Sequence, residues 1–188
     1  MPACKDGDLM KKLQLPLSEA EREELKAGEP VLLSGVVYTA RDAAHKRLFE
    51  MLDEGRELPF DLKDAVIYYV GPTPARPGQV IGSAGPTTSS RMDPYVPKMM
   101  ENGMIGMIGK GRRSEKVKEA VVRHKGFYLV AAGGAGALLS HSIIKREPVA
   151  FEDLLSEAVT RITVKDFPCF VGIDCRGDDI YDLKEDDE

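Results

Sequence analysis

Near its amino terminus the chain alternates apolar and polar positions in "MKKLQLPL" (residues 10–17), the period of two that marks a half-buried strand. Ser18 then opens "SEAEREELKAG". Glu21, three positions on, completes a capping box, and Gly28 marks the stop. "EPVLLSGVVYTA" reads as a buried strand. In "RDAAHKRLFEMLDEG" the period changes to about 3.6 residues, predicting an amphipathic helix with Ala44, Leu48, Phe49 and Leu52 on one side. "KDAVIYYVG" is another strand.

"GPTPARPGQVIGSAGPTTSSR" is too rich in proline and glycine to be regular throughout, and it predicts a long functional loop broken by a short strand at "QVIGS". The helix after it starts either with Thr88 or Ser89 as its cap, or with Asp93 as the cap and Pro94 at the first helical position. It ends near Gly103. "GMIGMIGKG" is a strand running into a glycine-flanked lysine, and "SEKVKEAVVRHKG" is an amphipathic helix. "FYLVAAGGAGALLSHSII" supplies a strand, a glycine turn and a helix. "TRITVKDFPCFVGIDCRGDDIYDL" suggests a hairpin turning at "RGDD". No repeat or domain boundary appears, so one domain of mixed α/β structure is expected over residues 1–188, with its core at about 11–183 and a solvated acidic tail at 184–188.

A chain of 188 residues is long enough to bury a core unaided. The formal net charge of -5 argues against holding nucleic acid by charge alone, since phosphate backbones are gripped by lysine and arginine. A small anion can still be held by a local basic cluster. The odd set Cys4, Cys169 and Cys175 contains no C-x-x-C pair and cannot form a complete disulfide framework, which favours a reducing, cytoplasmic setting. No segment resembles a signal peptide or approaches the roughly 18 apolar residues of a spanning helix, so no membrane association is expected.

Two glycine motifs lose on inspection. In "AAGGAGALL", Leu139 occupies the third glycine position of a dinucleotide fingerprint, and close packing of a helix start against a sheet explains the run better. In "GMIGKGRR", Met104 stands where a phosphate loop has its first glycine and Gly111 where it has Ser or Thr. The histidines His45, His124 and His141 are scattered, without metal-ligand spacing. His45 lies one helical turn beyond Arg41 and reads equally as a helix-face residue or as a supporting member of a site.

Arg41, Thr87, Arg91 and Lys110 stand where α/β proteins build sites, just after strands or in the glycine loop. Each cation alone reads as a surface charge. Together they predict a pocket for a molecule with more than one carboxylate: arginine offers paired hydrogen bonds and lysine a mobile point charge.

"SGVVYTARDAAHKRL", "GPTPARPGQVIGSAGPTTSSRMDPY", "IGKG", "AAGGAGALL" and "VKDFPCFVGIDCRGDDIYDL" together closely resemble the β subunit, or C-terminal domain, of the iron-sulfur hydro-lyases called class I fumarases and L-tartrate dehydratases. The likeness runs from about residue 11 to about residue 183. It implies a swivelling β/β/α domain that meets an α subunit carrying a 4Fe-4S cluster, in an α2β2 assembly. The cluster's cysteines would belong to the partner, with Cys169 and Cys175 as ordinary core or turn residues.

The resemblance also implies a catalytic base at Thr87 and a carboxylate clamp at Arg41, Arg91 and Lys110, with Asp42, His45 and Thr88 in supporting places. A hydroxyl is a weak base, so Thr87 needs an activating acceptor, either Asp42 or a carboxylate of the partner. Thr88 is free to cap the following helix. The expected activity is reversible hydration of fumarate to L-malate, a step of the tricarboxylic acid cycle. L-tartrate or methylfumarate fits the same clamp, and a non-enzymatic module binding an organic anion is the alternative from another class.

Overall fold

The computed structural model describes residues 10–183. Cys4 and the acidic tail at 184–188 lie outside the described residues. The chain begins with strand β1 (Lys11–Gln14) and helix α1 (Glu19–Glu23). The capping box forms as expected: the Ser18 hydroxyl accepts from the Glu21 amide, and the Glu21 carboxylate accepts from the Ser18 amide at 2.7 Å. The helix is shorter than the pattern suggests. Arg176 donates to the carbonyls of Glu23 and Leu25, and Leu25 turns into the core.

Next come β2 (Pro30–Thr39), α2 (Asp42–Asp53) and β3 (Val66–Tyr68). A 3-10 segment (Ser89–Tyr95) leads into α3 (Val96–Glu101), followed by β4 (Gly106–Gly109), α4 (Glu115–Arg123) and β5 (Phe127–Val130). The chain continues through α5 (Gly136–Ser140), β6 (Ile143–Ala150), a second 3-10 segment (Glu152–Glu157) and the long β7 (Val159–Ile173).

Strands β2, β3, β4 and β5 are parallel neighbours, and β7 runs antiparallel to both β5 and β2, closing the sheet into a small barrel. β1 extends the sheet beside the first half of β2, and β6 beside the first half of β7. Closure explains the nearly continuous apolar runs in β3, β4 and β5: a strand covered on both faces has no polar side. Alternate residues separate inside from outside. Val66, Tyr68, Ile108, Phe127 and Leu129 fill the barrel, while Ile67, Met107 and Tyr128 face a second core beneath α2, α3 and α4.

Three expectations are corrected. "QVIGS" forms bends and no strand, because its backbone is satisfied elsewhere: the Ser83 amide donates to the Thr73 hydroxyl at 2.8 Å and the Ala84 amide to the Gly136 carbonyl at 3.0 Å. Ile143 begins β6, whose exposed edge left no clear period in the sequence. At "RGDD" a single bridge, from Ile173 to the motif's last residue Asp179, replaces the expected hairpin, and β7 spends its length on β2, β5 and β6.

Candidate functional site

The parallel strands of the barrel end on one side, and the residues singled out by sequence follow those ends. In open α/β sheets this is the side where ligands bind, because loops there can converge on one crevice. Arg41 follows β2 as the N-cap of α2, Lys110 follows β4, and the antiparallel β7 begins at the same end, just after Glu157. Thr39 and Thr160 lock β2 to β7 there, their hydroxyls 2.6 Å apart and buried.

The glycine loop after β3 lies across these ends and is anchored along its length. The Tyr68 hydroxyl, inside the barrel, donates to the Ala84 carbonyl. Val70 bridges to Pro86, the Thr87 amide donates to the Tyr69 carbonyl at 2.8 Å, and Thr88 bridges to Lys110. Ser89 then exchanges hydrogen bonds with Lys110, its amide donating to the Lys110 carbonyl at 2.9 Å and its hydroxyl accepting from the Lys110 amide at 3.0 Å. Gly109 is required for this approach, since a Cβ there would overlap the Ser89 hydroxyl. Thr87 is left half-buried, and its hydroxyl makes no hydrogen bond among the described residues.

Charge is paired across the loop. Arg91 donates Nε–H to Oδ1 of Asp42 at 2.8 Å and an Nη2 hydrogen to Oδ2 at 2.6 Å. Nε of Arg41 lies 3.4 Å from the same Oδ2 and 3.1 Å from Oε1 of Glu157. The Arg41 side chain lies along Gly71, where a Cβ would stand 2.7 Å from its Nη1. Partial burial opposes ionisation of Asp42, but the Arg91 hydrogen bond and both guanidinium charges outweigh it and hold the carboxyl below its usual range. The Lys110 ammonium has no ion pair among the described residues, and its stem passes Gly133.

His45 is fully buried, with Nδ1 2.9 Å from the Arg41 carbonyl and its ring edge-on to Tyr69. Burial pushes its pKa down to about 4, so the ring is neutral and donates through Nδ1. It therefore supports the turn that presents Arg41. The amphipathic pattern missed it because a histidine is not scored as a core residue.

Thr88 takes the N-cap position of the 3-10 segment but makes no side-chain cap hydrogen bond. Asp93 does not cap its own helix. Its carboxylate takes Nε–H of Arg113 and the Ser114 amide, both at 2.7 Å, and so joins the loop to the start of α4. Sequence reasoning also missed Glu157 on Arg41, and the only signal was its place just before a strand that begins at the site.

Cys169 is a barrel-core residue, and burial raises its thiol pKa so that it stays protonated; Cys175 is buried as well. Among the described residues no group of three or more His, Cys, Asp or Glu side chains is arranged to hold a metal ion. These residues therefore do not fit an iron-sulfur cluster. Among them, too, no helix is long and apolar enough to cross a membrane. Clefts of 520 and 390 Å³ are lined by other residues, and the charged cluster lies open on the surface at the strand ends.

A family model described as Fumarase C-terminus matches residues 2–184. The chain is 41% identical to the anaerobic class I fumarate hydratase of Escherichia coli over 94% of its own length and 33% of that protein's. It is 40% identical to fumarate hydratase 2 of Leishmania major over 90% of itself and 30% of the relative. A Methanocaldococcus jannaschii protein, provisionally named as the beta subunit of an L(+)-tartrate dehydratase, is 36% identical over 88% of each chain. The chain thus spans about a third of the two fumarate hydratases and nearly all of the third relative.

Proposed function

This chain belongs to the fumarase C-terminus family, and on that premise we propose that it is the β subunit of an iron-sulfur hydro-lyase that hydrates fumarate reversibly to L-malate. The observation that carries the reading is the assembly of Thr87, Arg41, Arg91 and Lys110 around one set of strand ends in a member of this family. The match to a separate beta subunit over 88% of each chain supports a two-chain enzyme, here an α2β2 complex working in the cytoplasm. In this reading the domain is of the swivelling β/β/α type, and its motion brings the open charged surface against the partner.

The chemistry divides accordingly. The partner α subunit holds the 4Fe-4S cluster, for which the described residues of this chain have no ligand set. This chain binds the dicarboxylate. Arg41 and Arg91 take carboxylate oxygens through their remaining N–H donors, and Lys110 adds an unshared positive charge where charge builds on the carboxylate next to the deprotonated carbon. Thr87 stands ready to accept the carbon-bound proton through its uncommitted hydroxyl, activated by a carboxylate of the partner. Both oxygens of Asp42 are engaged by the arginines, so it does not serve that purpose.

The test is anaerobic reconstitution with a cysteine-bearing α chain and a panel of fumarate, L-tartrate and methylfumarate. Hydration of fumarate by the complex and by neither chain alone is expected. Dicarboxylate binding by this chain with no turnover in any complex would favour an organic-anion module. In the Cys169→Ala, Cys175→Ala double variant the complex should keep its iron, whereas loss of iron from a folded complex would return cluster ligation to this chain.

A further inference from the structure

Asp42 meets both arginines of the charged cluster, and it meets them on one edge. Arg91 spends Nε–H and one Nη2 hydrogen on the two carboxylate oxygens, and the Nε of Arg41 points to the second of them. A guanidinium has five N–H donors. Arg91 therefore keeps both hydrogens of Nη1 and one of Nη2, and Arg41, whose Nε faces both Asp42 and Glu157, keeps all four of its terminal hydrogens among the described residues. The carboxylate itself is fixed, because Asp42 is the first residue of α2, where the positive end of the helix favours a negative side chain. Arg41, immediately before it, is held by His45 through its carbonyl.

We infer that Asp42 is a positioning residue: it grips Arg91 and Arg41 by their Nε edges and leaves their outer N–H groups arranged for two carboxylates of one ligand. The inference rests on the functional reading above, in which these arginines bind a dicarboxylate. It assigns Asp42 a task different from activating Thr87. It also distinguishes Asp42 from Glu157, which touches Arg41 alone and comes from the irregular segment before β7.

Charge and geometry predict opposite signs, which makes the idea testable. Removing a negative group beside a dianion site strengthens binding if only charge matters, and weakens it if the group aligns the donors. In the reconstituted complex, Asp42→Asn should raise KM for fumarate about tenfold, a modest change because the pair is partly solvated, and lower kcat by less than about threefold. Asp42→Glu should recover part of the loss. Glu157→Gln makes the same change in charge but leaves Arg91 gripped by Asp42, so it should raise KM by less than Asp42→Asn does.

A second readout needs no turnover. In the ¹⁵N-labelled chain the Arg91 Nε–H signal should exchange slowly with solvent in wild type and in Glu157→Gln, and at least about tenfold faster in Asp42→Asn, once its acceptor is weakened. An unchanged Arg91 signal in Asp42→Asn overturns the positioning role, as does a fall in KM in both variants. If no complex turns over any dicarboxylate, the functional reading fails, and the exchange measurement still decides whether Asp42 holds the guanidinium.

Discussion

Arg113 donates its Nε–H to Oδ1 of Asp93 at 2.7 Å, with the arginine side chain wholly buried and the aspartate 10% exposed. The guanidinium lies over the rings of Tyr128 and Tyr69, 4.7 and 5.3 Å from their centroids. This pair fastens the segment that carries Thr87 and Arg91 to the connection between β4 and α4. It is a buried charged link between the glycine loop and the start of α4, beside the more exposed pair of Arg91 and Asp42.

Breaking it should therefore loosen both stability and site. Arg113→Met keeps most of the volume but strands a buried carboxylate, and should cost about 3–5 kcal/mol. Chemical denaturation of the isolated variant measures this. A loss below about 1 kcal/mol, the level of an exposed ion pair, would show that the pair is solvated in solution.

His45 should make the protein acid-sensitive in a defined window. Its pKa is about 4 in the folded chain against 6.5 for the free side chain, so between these values the unfolded chain binds more protons. Stability from this group is complete above pH 6.5, falls as the pH drops, and levels off below pH 4, with a total of about 3 kcal/mol. Denaturation midpoints across that range should fall less steeply in His45→Phe than in wild type. Parallel slopes would show that His45 is charged or accessible in the native state.

Loss of Arg41 or Lys110 should weaken activity without unfolding the chain, since both lie at strand ends outside the two apolar cores. In the closed complex, Arg41→Ala and Lys110→Ala should each lower kcat/KM by about 2–5 kcal/mol, tens to thousands of times. Arg91→Ala should act in the same direction. A variant that keeps full kcat/KM for its best dicarboxylate removes its residue from the clamp.

Thr87→Val separates proton transfer from binding. The Thr87 hydroxyl has no structural hydrogen bond among the described residues, so the fold should not change. KM should stay close to wild type while most of kcat is lost, together with exchange of the substrate's carbon-bound proton into deuterated solvent. Thr87→Ser should retain part of both. Exchange at the wild-type rate in Thr87→Val would assign the base to the partner.

Much that depends on near neighbours was legible in the sequence alone. The Ser18–Glu21 capping box, the strands "VLLSGVVYT" and "FYLV", helices α2 and α4, and the glycine loop with its cations all follow from residues within a few positions of one another. Long motifs such as "GPTPARPGQVIGSAGPTTSSRMDPY" were enough to indicate the family.

Tertiary structure alone decided which groups meet. The barrel closes because β7 pairs with β2, Thr160 lying opposite Thr39, a register set by the fit of two apolar faces and by no local signal. That closure brings Glu157 to Arg41, while the packing of the segment after β3 against α2 sets His45 against Tyr69 and Asp42 opposite Arg91, 49 positions away. A charged side chain reads the same in sequence whether solvent or a carboxylate faces it. Its partner, and with it its geometry and charge balance, exists only once distant segments have packed.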